Sequence, residues 1–129
     1  MEKIVLIGAG GNCKVIIDII MSSNEYEIAG ITEKNSEIDN VMDVPILGDD
    51  SELQQIYDGG VNYAFICVGA INNIILRNSL YKKLKLIGYK LPILIHKGSI
   101  VSKFVSIEDG TCVMPGAIIN AGSYIGSNC

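Results

Sequence analysis

The chain has 129 residues, a formal net charge of −4 and 49% hydrophobic residues. This length suffices for one domain with a core or for a compact domain with a small appendage, and the hydrophobic content excludes intrinsic disorder. The net negative charge and the single short basic run, Lys82-Lys83-Leu84-Lys85, argue against a nucleic-acid partner. No apolar run reaches the roughly 20 residues of a membrane span, and residues 1–5 resemble a strand start rather than a signal peptide. We therefore expect a cytoplasmic protein with no membrane partner.

A βαβ unit opens the chain. Residues 3–7 form a short apolar run that ends at the glycine-rich turn Gly8-Ala9-Gly10-Gly11-Asn12. A helical pattern follows, and residues 26–32 form the next strand. Strand, turn, helix and strand within about 30 residues indicate a right-handed unit with two parallel strands.

The middle of the chain repeats this alternation. Residues 35–43 are polar and acidic and are predicted to be a loop, and residues 44–48 a short strand. Ser51 and Gln54 match a capping box for a helix over about 51–58, which Gly59 and Gly60 stop. Asp49 and Asp50 are interpreted as residues before this helix start rather than as part of a site.

The second half of the sheet domain contains a buried strand and a longer helix. The run over residues 63–68 is continuously apolar, which suits a central parallel strand covered on both faces. Asn72 or Asn73 is predicted to cap a helix that continues until Gly88. Residues 1–90 therefore predict a Rossmann-like parallel sheet domain.

The end of the chain has a different period. Every sixth residue from 95 onward is a β-branched aliphatic: Ile95, Val101, Ile107, Val113, Ile119 and Ile125. A period of six fits neither a helix nor a lone strand, but it fits short strands joined by turns and stacked as a solenoid. We predict that residues 91–129 form the first coils of a left-handed hexapeptide-repeat β-helix, about two coils if each contains three strands. With the sheet domain before it, the fold class is α/β.

Cysteine and histidine positions predict no metal site. Cys13, Cys67, Cys112 and Cys129 form no C-x-x-C pair, and the only histidine, His96, is near none of them in sequence. Cys67 lies in an apolar strand and is predicted to be a small core residue. A disulfide framework is not expected in an intracellular chain. His96 is interpreted as a structural residue at the domain junction rather than a catalytic one.

The glycine-rich turn is the first candidate for ligand binding. Gly8, Gly10, Gly11 and Asn12 lie between a strand and a helix, where backbone N–H groups can approach phosphate oxygens. Cys13 stands where the full dinucleotide fingerprint has glycine, so a phosphate-bearing ligand is favoured over a dinucleotide. A tight turn with no ligand is the alternative.

Three further residues are candidates for the same site. Glu33 ends the second strand, where an acid often binds a ribose hydroxyl, and a solvated loop acid is the equally weighted alternative. Gly69 and Asn72 follow the strand over residues 63–68. Because the carboxyl ends of parallel strands share one edge of a sheet, we expect these residues near the turn.

The combination of these segments resembles one family. The Gly8-Ala9-Gly10-Gly11 turn, the run Pro45-Ile46-Leu47-Gly48-Asp49-Asp50, the run Phe65-Ile66-Cys67-Val68-Gly69 and Leu94-Ile95-His96 leading into hexads are similar to the sugar O-/N-acyltransferases related to sialic-acid O-acetyltransferases and the bacillosamine N-acetyltransferase. The resemblance implies a nucleotide sugar, typically a UDP-sugar, with Gly8, Gly10 and Gly11 at its phosphates. It also implies a homotrimeric β-helix that takes acetyl-CoA as co-substrate, and a histidine general base acting on a sugar amine or hydroxyl.

Two departures from the family pattern change the expectation for this chain. The family usually has histidine after the Gly-Gly, where this chain has Asn12. The family's catalytic histidine and acetyl-CoA-binding coils lie beyond the segment matching residues 118–122, and the chain ends at Cys129. We therefore expect no catalytic residue within these 129 residues, and no acetyl transfer by them. The alternatives are a non-catalytic nucleotide-sugar-binding module with an oligomerising solenoid stub and, less favoured, an NAD(P)-dependent oxidoreductase.

Overall fold

A computed structural model of the chain describes residues 2–9, 11–33, 39–67 and 74–95, and five two-residue strands between residues 100 and 125. From residue 95 onward, and at Gly11, Asn12 and Ile74, it describes the backbone alone.

Four parallel strands form the sheet of the first domain. They are β1 (Glu2–Ile7), β2 (Tyr26–Thr32), β4 (Val44–Gly48) and β5 (Tyr63–Ile66), with β3 (Asn40–Val41) antiparallel beside β4. The order across the sheet is β3-β4-β2-β1-β5. Counting only the parallel strands, this is third, second, first, fourth, as in a Rossmann fold. The predicted Rossmann-like sheet is thus confirmed. The prediction of a central strand over residues 63–68 was wrong, since β5 lies at the edge of the sheet, although both of its faces are covered.

Helices cover both faces of this sheet. Helix α1 (Gly11–Ser23) packs on one face, and its isoleucines share a buried cluster with Ile4, Leu6 and Phe65. Helices α2 (Leu53–Asp58) and α3 (Ile74–Ile87) pack on the other face, against the alternate strand residues Val5, Ile7, Ala64 and Ile66. This alternation follows from the two-residue period of strands, and it gives three layers with a core on each side of the sheet. None of the helices described here has both the length and the apolar character to cross a membrane.

The prediction of an uninterrupted loop over residues 35–43 was wrong at its end. Asn40 and Val41 pair with Pro45 and Val44 through a two-residue turn at Met42 and Asp43. Both turn residues have positive φ, 49° and 68°, as a type I′ hairpin turn requires. The sequence Met-Asp lacks the Asn-Gly or Asp-Gly signal of such turns, which is why the hairpin was missed.

The capping box at Ser51 and Gln54 was also wrong. Asp49 caps a 3-10 turn over Asp50–Glu52, and its carboxylate accepts hydrogen bonds from the Ser51 N–H (2.9 Å) and hydroxyl (2.5 Å). Both hydrogen bonds lower the pKa of the Asp49 carboxyl, and the one from the Ser51 hydroxyl has the larger effect. The Gln54 side chain instead contacts Asp58, 3.2 Å away. The interpretation of Asp49 as a residue before a helix start was correct.

The chain leaves α3 along the edge of the sheet. Lys90 pairs with β5, since its N–H donates to the Asn62 carbonyl (2.9 Å) and its carbonyl accepts from the Ala64 N–H (3.0 Å). Leu94 then joins the buried cluster of α1. The two parts of the chain are therefore in contact at this point, as the short connection between them predicts.

Six short strands stack in pairs after this point. Strand β6 (Leu94–Ile95) pairs with β9 (Cys112–Val113), β7 (Ile100–Val101) with β10 (Ile118–Ile119), and β8 (Ser106–Ile107) with β11 (Tyr124–Ile125). All three pairs are parallel, and each partner lies 18 residues further along the chain. One coil therefore consists of three hexads, and the six hexads form two stacked coils, as predicted. The boundary at residue 90 and the left-handed sense of the coils stay predictions.

Tyr89 makes a hydrogen bond to the first residue of α2, and its contribution to stability can be tested. Its buried hydroxyl donates to the Leu53 carbonyl at 2.7 Å. The pKa of Tyr89 is raised to about 12, and burial is the largest cause of this shift. We expect Tyr89→Phe to lower the free energy of unfolding by about 1–2 kcal/mol at neutral pH, because the Leu53 carbonyl loses its donor.

The same pKa sets a pH window for this tyrosine. A phenol whose pKa is raised on folding stabilises the fold below its unfolded value of about 10, and that contribution disappears as the pH rises toward 12. Urea titrations at pH 8 to 12 measure it, and the wild-type advantage over Tyr89→Phe is expected to shrink above about pH 10. An advantage that stays constant up to pH 12 contradicts this assignment.

Candidate functional site

The carboxyl ends of β1, β2, β4 and β5 lie at one edge of the sheet because these strands are parallel. From β1 the chain goes to β2 and then β4 on one side, whereas β5 lies on the other side. The gap beyond β1 and β5 is thus the topological switch point, where ligands bind in open α/β sheets. We refer to this gap, bordered by Gly8, Ala9 and Cys67, as the crevice.

Gly8 forms the turn out of β1. Its φ is +100°, a conformation that residues with a Cβ rarely adopt, and its N–H donates to the Thr32 carbonyl at 2.8 Å. Helix α1 begins three residues later, at Gly11. The strand, turn and helix predicted from the glycine-rich stretch are therefore present, and the N-terminus of a 13-residue helix lies at the crevice.

Glu33 reaches the same turn from the end of β2. Its backbone N–H donates to the Gly48 carbonyl at 2.8 Å, and its carboxylate accepts a hydrogen bond from the Ala9 N–H at 2.5 Å. The side chain is half-buried. Glu33 is thus hydrogen-bonded to the turn rather than being a freely solvated loop acid, and its role in ligand binding stays a prediction.

A second acidic group, Asp50, follows β4, and its contact with Thr32 was not predicted from the sequence. The hydroxyl of Thr32, which is fully buried, donates to Asp50 Oδ1 at 3.3 Å. The Lys83 ammonium donates to the Asp50 carbonyl, also at 3.3 Å, and so connects α3 to this corner. Asp50 and Lys83 are 33 residues apart and share no sequence signal that could have shown this contact.

The described carboxylates of this edge are concentrated on its β2–β4 side. Glu33, Asp49 and Asp50 follow β2 and β4, whereas Ala9 and Cys67 follow β1 and β5. A doubly charged diphosphate is repelled by nearby carboxylates and attracted by a helix N-terminus. The Glu33 carboxylate already accepts from the Ala9 N–H, so the place that these charges leave for an anionic group is the first turn of α1, toward β5.

Two cysteines lie beneath the crevice. Cys13, in the first turn of α1, and Cys67, directly after β5, are both completely buried. The Cys67 N–H donates to the Ile7 carbonyl at 2.7 Å, which continues the pairing of β5 with β1. The prediction of Cys67 as a core residue is confirmed.

Several predicted site residues have little or no described geometry. Gly11 and Asn12 belong to the first turn of α1, with their backbone alone described. Gly10, Gly69, Asn72 and His96 lie outside the described residues. Within the described part of the chain, no group of three or more His, Cys, Asp or Glu side chains is placed to hold a metal ion.

Comparison with known proteins is decisive for the family. Residues 3–84 match the family model described as the PglD N-terminal domain, which is more than half of the chain. The chain belongs to the PglD N-terminal domain family. This confirms the sugar acyltransferase resemblance. No curated protein sequence matches the chain significantly.

Two solved structures show what this PglD-family chain is similar to. One is a point mutant of perosamine N-acetyltransferase from Caulobacter crescentus in complex with CoA and GDP-perosamine, with 33% identity and a TM-score of 0.90. The other is the acetyltransferase domain of PglB from Neisseria gonorrhoeae in complex with acetyl coenzyme A, with 28% identity and a TM-score of 0.87. The matches cover 99% and 98% of this chain, but only 59% and 60% of those two chains.

Proposed function

We propose that this chain binds a nucleoside diphosphate sugar in the crevice, and that it represents the N-terminal part of an acetyl-CoA-dependent sugar acetyltransferase. The observation that carries the proposal is the turn at Gly8, which leads from β1 into α1 at the switch point of the sheet. The complex of the Caulobacter relative with GDP-perosamine supports the class of ligand, and its CoA supports the class of reaction.

The diphosphate is assigned to the turn and the first turn of α1. There Gly10, Gly11 and Asn12 are proposed to supply backbone N–H groups and the positive end of the helix dipole. Gly8, whose own N–H is bonded to the Thr32 carbonyl, makes the turn beside the phosphates. Gly69 and Asn72, which follow β5 in the sequence, are proposed to border the same ligand. The side chains that follow β2 and β4 are acidic, so the neutral parts of the ligand suit that side better than its phosphates.

Glu33 is proposed to bind a ribose hydroxyl of this nucleotide. Its carboxylate already lies at the turn through the Ala9 N–H, and a carboxylate can accept several hydrogen bonds at once. Two nucleobases are candidates for this nucleotide. The sequence leads us to expect a UDP-sugar, whereas GDP-perosamine is the ligand in the Caulobacter relative. Both nucleotides therefore belong in the test.

Acetyl transfer is proposed for the longer protein. In this reaction the sugar amine or hydroxyl attacks the thioester carbonyl of acetyl-CoA, and a histidine general base takes the proton from the attacking group. The two stacked coils would continue into a left-handed β-helix, three copies of which would assemble and hold acetyl-CoA between them. The 18-residue stacking offset supports such a continuation because it is already regular over both coils.

Calorimetric titration of the 129-residue chain tests the nucleotide site. We expect saturable binding of a UDP-sugar or a GDP-sugar and weaker or no binding of NAD. Glu33→Ala is expected to weaken the affinity about tenfold, which corresponds to about 1.4 kcal/mol for one lost hydrogen bond to a charged group.

Glu27→Ala is the matched control for that substitution. Glu27 is an exposed acid near the amino end of β2, the strand after which Glu33 comes, and so lies far from the crevice. Its loss changes the net charge equally. Equal affinities of both variants contradict the role of Glu33. The absence of binding for both nucleotide sugars contradicts the site itself.

A separate assay addresses acetyl transfer. With acetyl-CoA and nucleotide amino sugars, we expect no CoA release by the 129 residues alone, because the resemblance places the catalytic histidine beyond Cys129. Clear turnover contradicts this expectation. Nucleotide-sugar binding by a full-length protein that also lacks turnover favours the alternative of a non-catalytic binding module.

A further inference from the structure

Cys13 and Cys67 belong to the same buried cluster beneath the crevice, and their side chains are hydrogen-bonded to each other. In β5, alternate residues face opposite layers: Ala64 and Ile66 face α2 and α3, whereas Phe65 belongs to the cluster of α1. Cys67 follows in the same alternation and belongs to the cluster of α1, as does Cys13 itself. The two thiols are therefore brought together by the pairing of β5 with β1, although 54 residues separate them in sequence.

The position of Cys13 explains why the contact is close. In the dinucleotide fingerprint, glycine at this place lets the helix approach the strands closely. Here the small thiol of Cys13 fills that space, and the residue it meets, Cys67, is also small. Neither cysteine is in a disulfide.

The surroundings lower the pKa of the Cys13 thiol. The Cys67 thiol has two acceptors within reach, the Phe65 carbonyl at 3.9 Å and the Cys13 sulfur. The hydrogen bond from Cys67 lowers the pKa of the Cys13 thiol, whereas burial and the Glu33 carboxylate act in the opposite direction with smaller effect. Cys13 also lies in the first turn of α1, where the helix dipole stabilises a negative charge.

We propose that Cys13 and Cys67 form a reversible disulfide that joins the first turn of α1 to the end of β5, with hydrogen peroxide as the oxidant. The Cys13 thiolate attacks one peroxide oxygen and becomes a sulfenic acid, and the O–O bond breaks to release hydroxide. The Cys67 sulfur, after losing its proton, attacks the Cys13 sulfur and displaces the second hydroxide. In total, two thiols and one peroxide give one disulfide and two water molecules. This modification site does not depend on the proposed nucleotide ligand.

Trypsin digestion can identify this bond without ambiguity. Cleavage after lysine and arginine places Cys13 in the peptide 4–14 and Cys67 in the peptide 35–77, whereas Cys112 and Cys129 share the peptide 104–129. The folded 129-residue chain is exposed to hydrogen peroxide, its remaining thiols are alkylated after unfolding, and the digest is analysed by mass spectrometry. We expect peptides 4–14 and 35–77 linked together, with a mass about 2 Da below the sum of the two thiol forms. Dithiothreitol should separate them again.

Two variants control for other reactions of the thiols. Cys112→Ser/Cys129→Ser is expected to form the same linked peptide to the same extent, since neither residue takes part. Cys67→Ser should abolish the linked peptide and leave Cys13 as a sulfenic acid, which dimedone traps. The proposal is overturned if oxidised wild-type protein retains both thiols or carries Cys13 and Cys67 only as separately oxidised residues. Because the wild-type digest alone gives this answer, a folding defect in Cys67→Ser would leave the test intact.

Discussion

Leu84→Ala is expected to lower the free energy of unfolding by about 2–5 kcal/mol, the usual cost of removing a fully buried leucine side chain. Leu84 lies on α3 with none of its surface exposed, in the cluster formed with Val5, Ile7 and Ile66. The substitution leaves a cavity between α3 and the sheet that rigid strands cannot fill completely. Urea unfolding followed by circular dichroism measures the change.

Leu86→Ala is the matched control, because it makes the same chemical change two residues further along the same helix. The Leu86 side chain is 88% exposed, so its removal returns little apolar surface to water. We expect a change within about 0.5 kcal/mol, helped by the higher helix propensity of alanine. Equal costs for the two variants contradict the packing of α3 on the sheet described above.

Gly88→Ala is expected to cost about 2–4 kcal/mol, since two separate penalties apply. Gly88 ends α3 with φ +119°, outside the range that residues with a Cβ adopt comfortably. A Cβ at this position would also lie 2.8 Å from the Tyr57 hydroxyl oxygen and 3.0 Å from its ring carbon Cζ. The Tyr57 ring cannot easily move away because it packs edge-on against Tyr89, with 5.1 Å between the ring centroids.

Two nearby glycines separate these penalties. Gly60 has φ +108° but open space where a Cβ would lie, so Gly60→Ala should show the backbone strain alone, about 1–2 kcal/mol. Gly59 has φ −78° and only ordinary contacts at 3.5 Å, so Gly59→Ala should be neutral or slightly stabilising. The expected order of unfolding free energies is therefore Gly59→Ala, Gly60→Ala, Gly88→Ala, from highest to lowest. A Gly88→Ala variant as stable as Gly60→Ala contradicts the Tyr57 contact.

Periodic features of the sequence predicted structure most successfully. The spacing of isoleucines in α1 and the apolar runs of the parallel strands indicated each element at nearly its observed bounds, because side-chain period and burial are coupled in regular structure. The β3–β4 hairpin was missed because its turn residues, Met42 and Asp43, adopt positive φ without the usual glycine or asparagine. Tertiary contacts of the hairpin outweigh that local preference.

For the candidate site, the sequence identified the glycine-rich turn and Glu33, but it did not predict the hydrogen bond between the Glu33 carboxylate and the Ala9 N–H. Glu33 lies 24 residues from Ala9, and only the parallel pairing of β2 with β1 brings its carboxylate to the Ala9 N–H. The hydrogen bond between Thr32 and Asp50 was found only in the structure, since no sequence pattern relates these two residues.

By itself, the sequence determined the family, the alternation of strands and helices, and the hexads, because the 6-residue period follows from the geometry of one short strand and its turn. The tertiary structure decided which distant residues share a surface. It places β5 beside β1 and so puts Cys67 against Cys13, and it stacks each hexad on the one 18 residues away. The physical reason is that strand order and coil stacking are settled by burying apolar faces over the whole molecule, which no local spacing records.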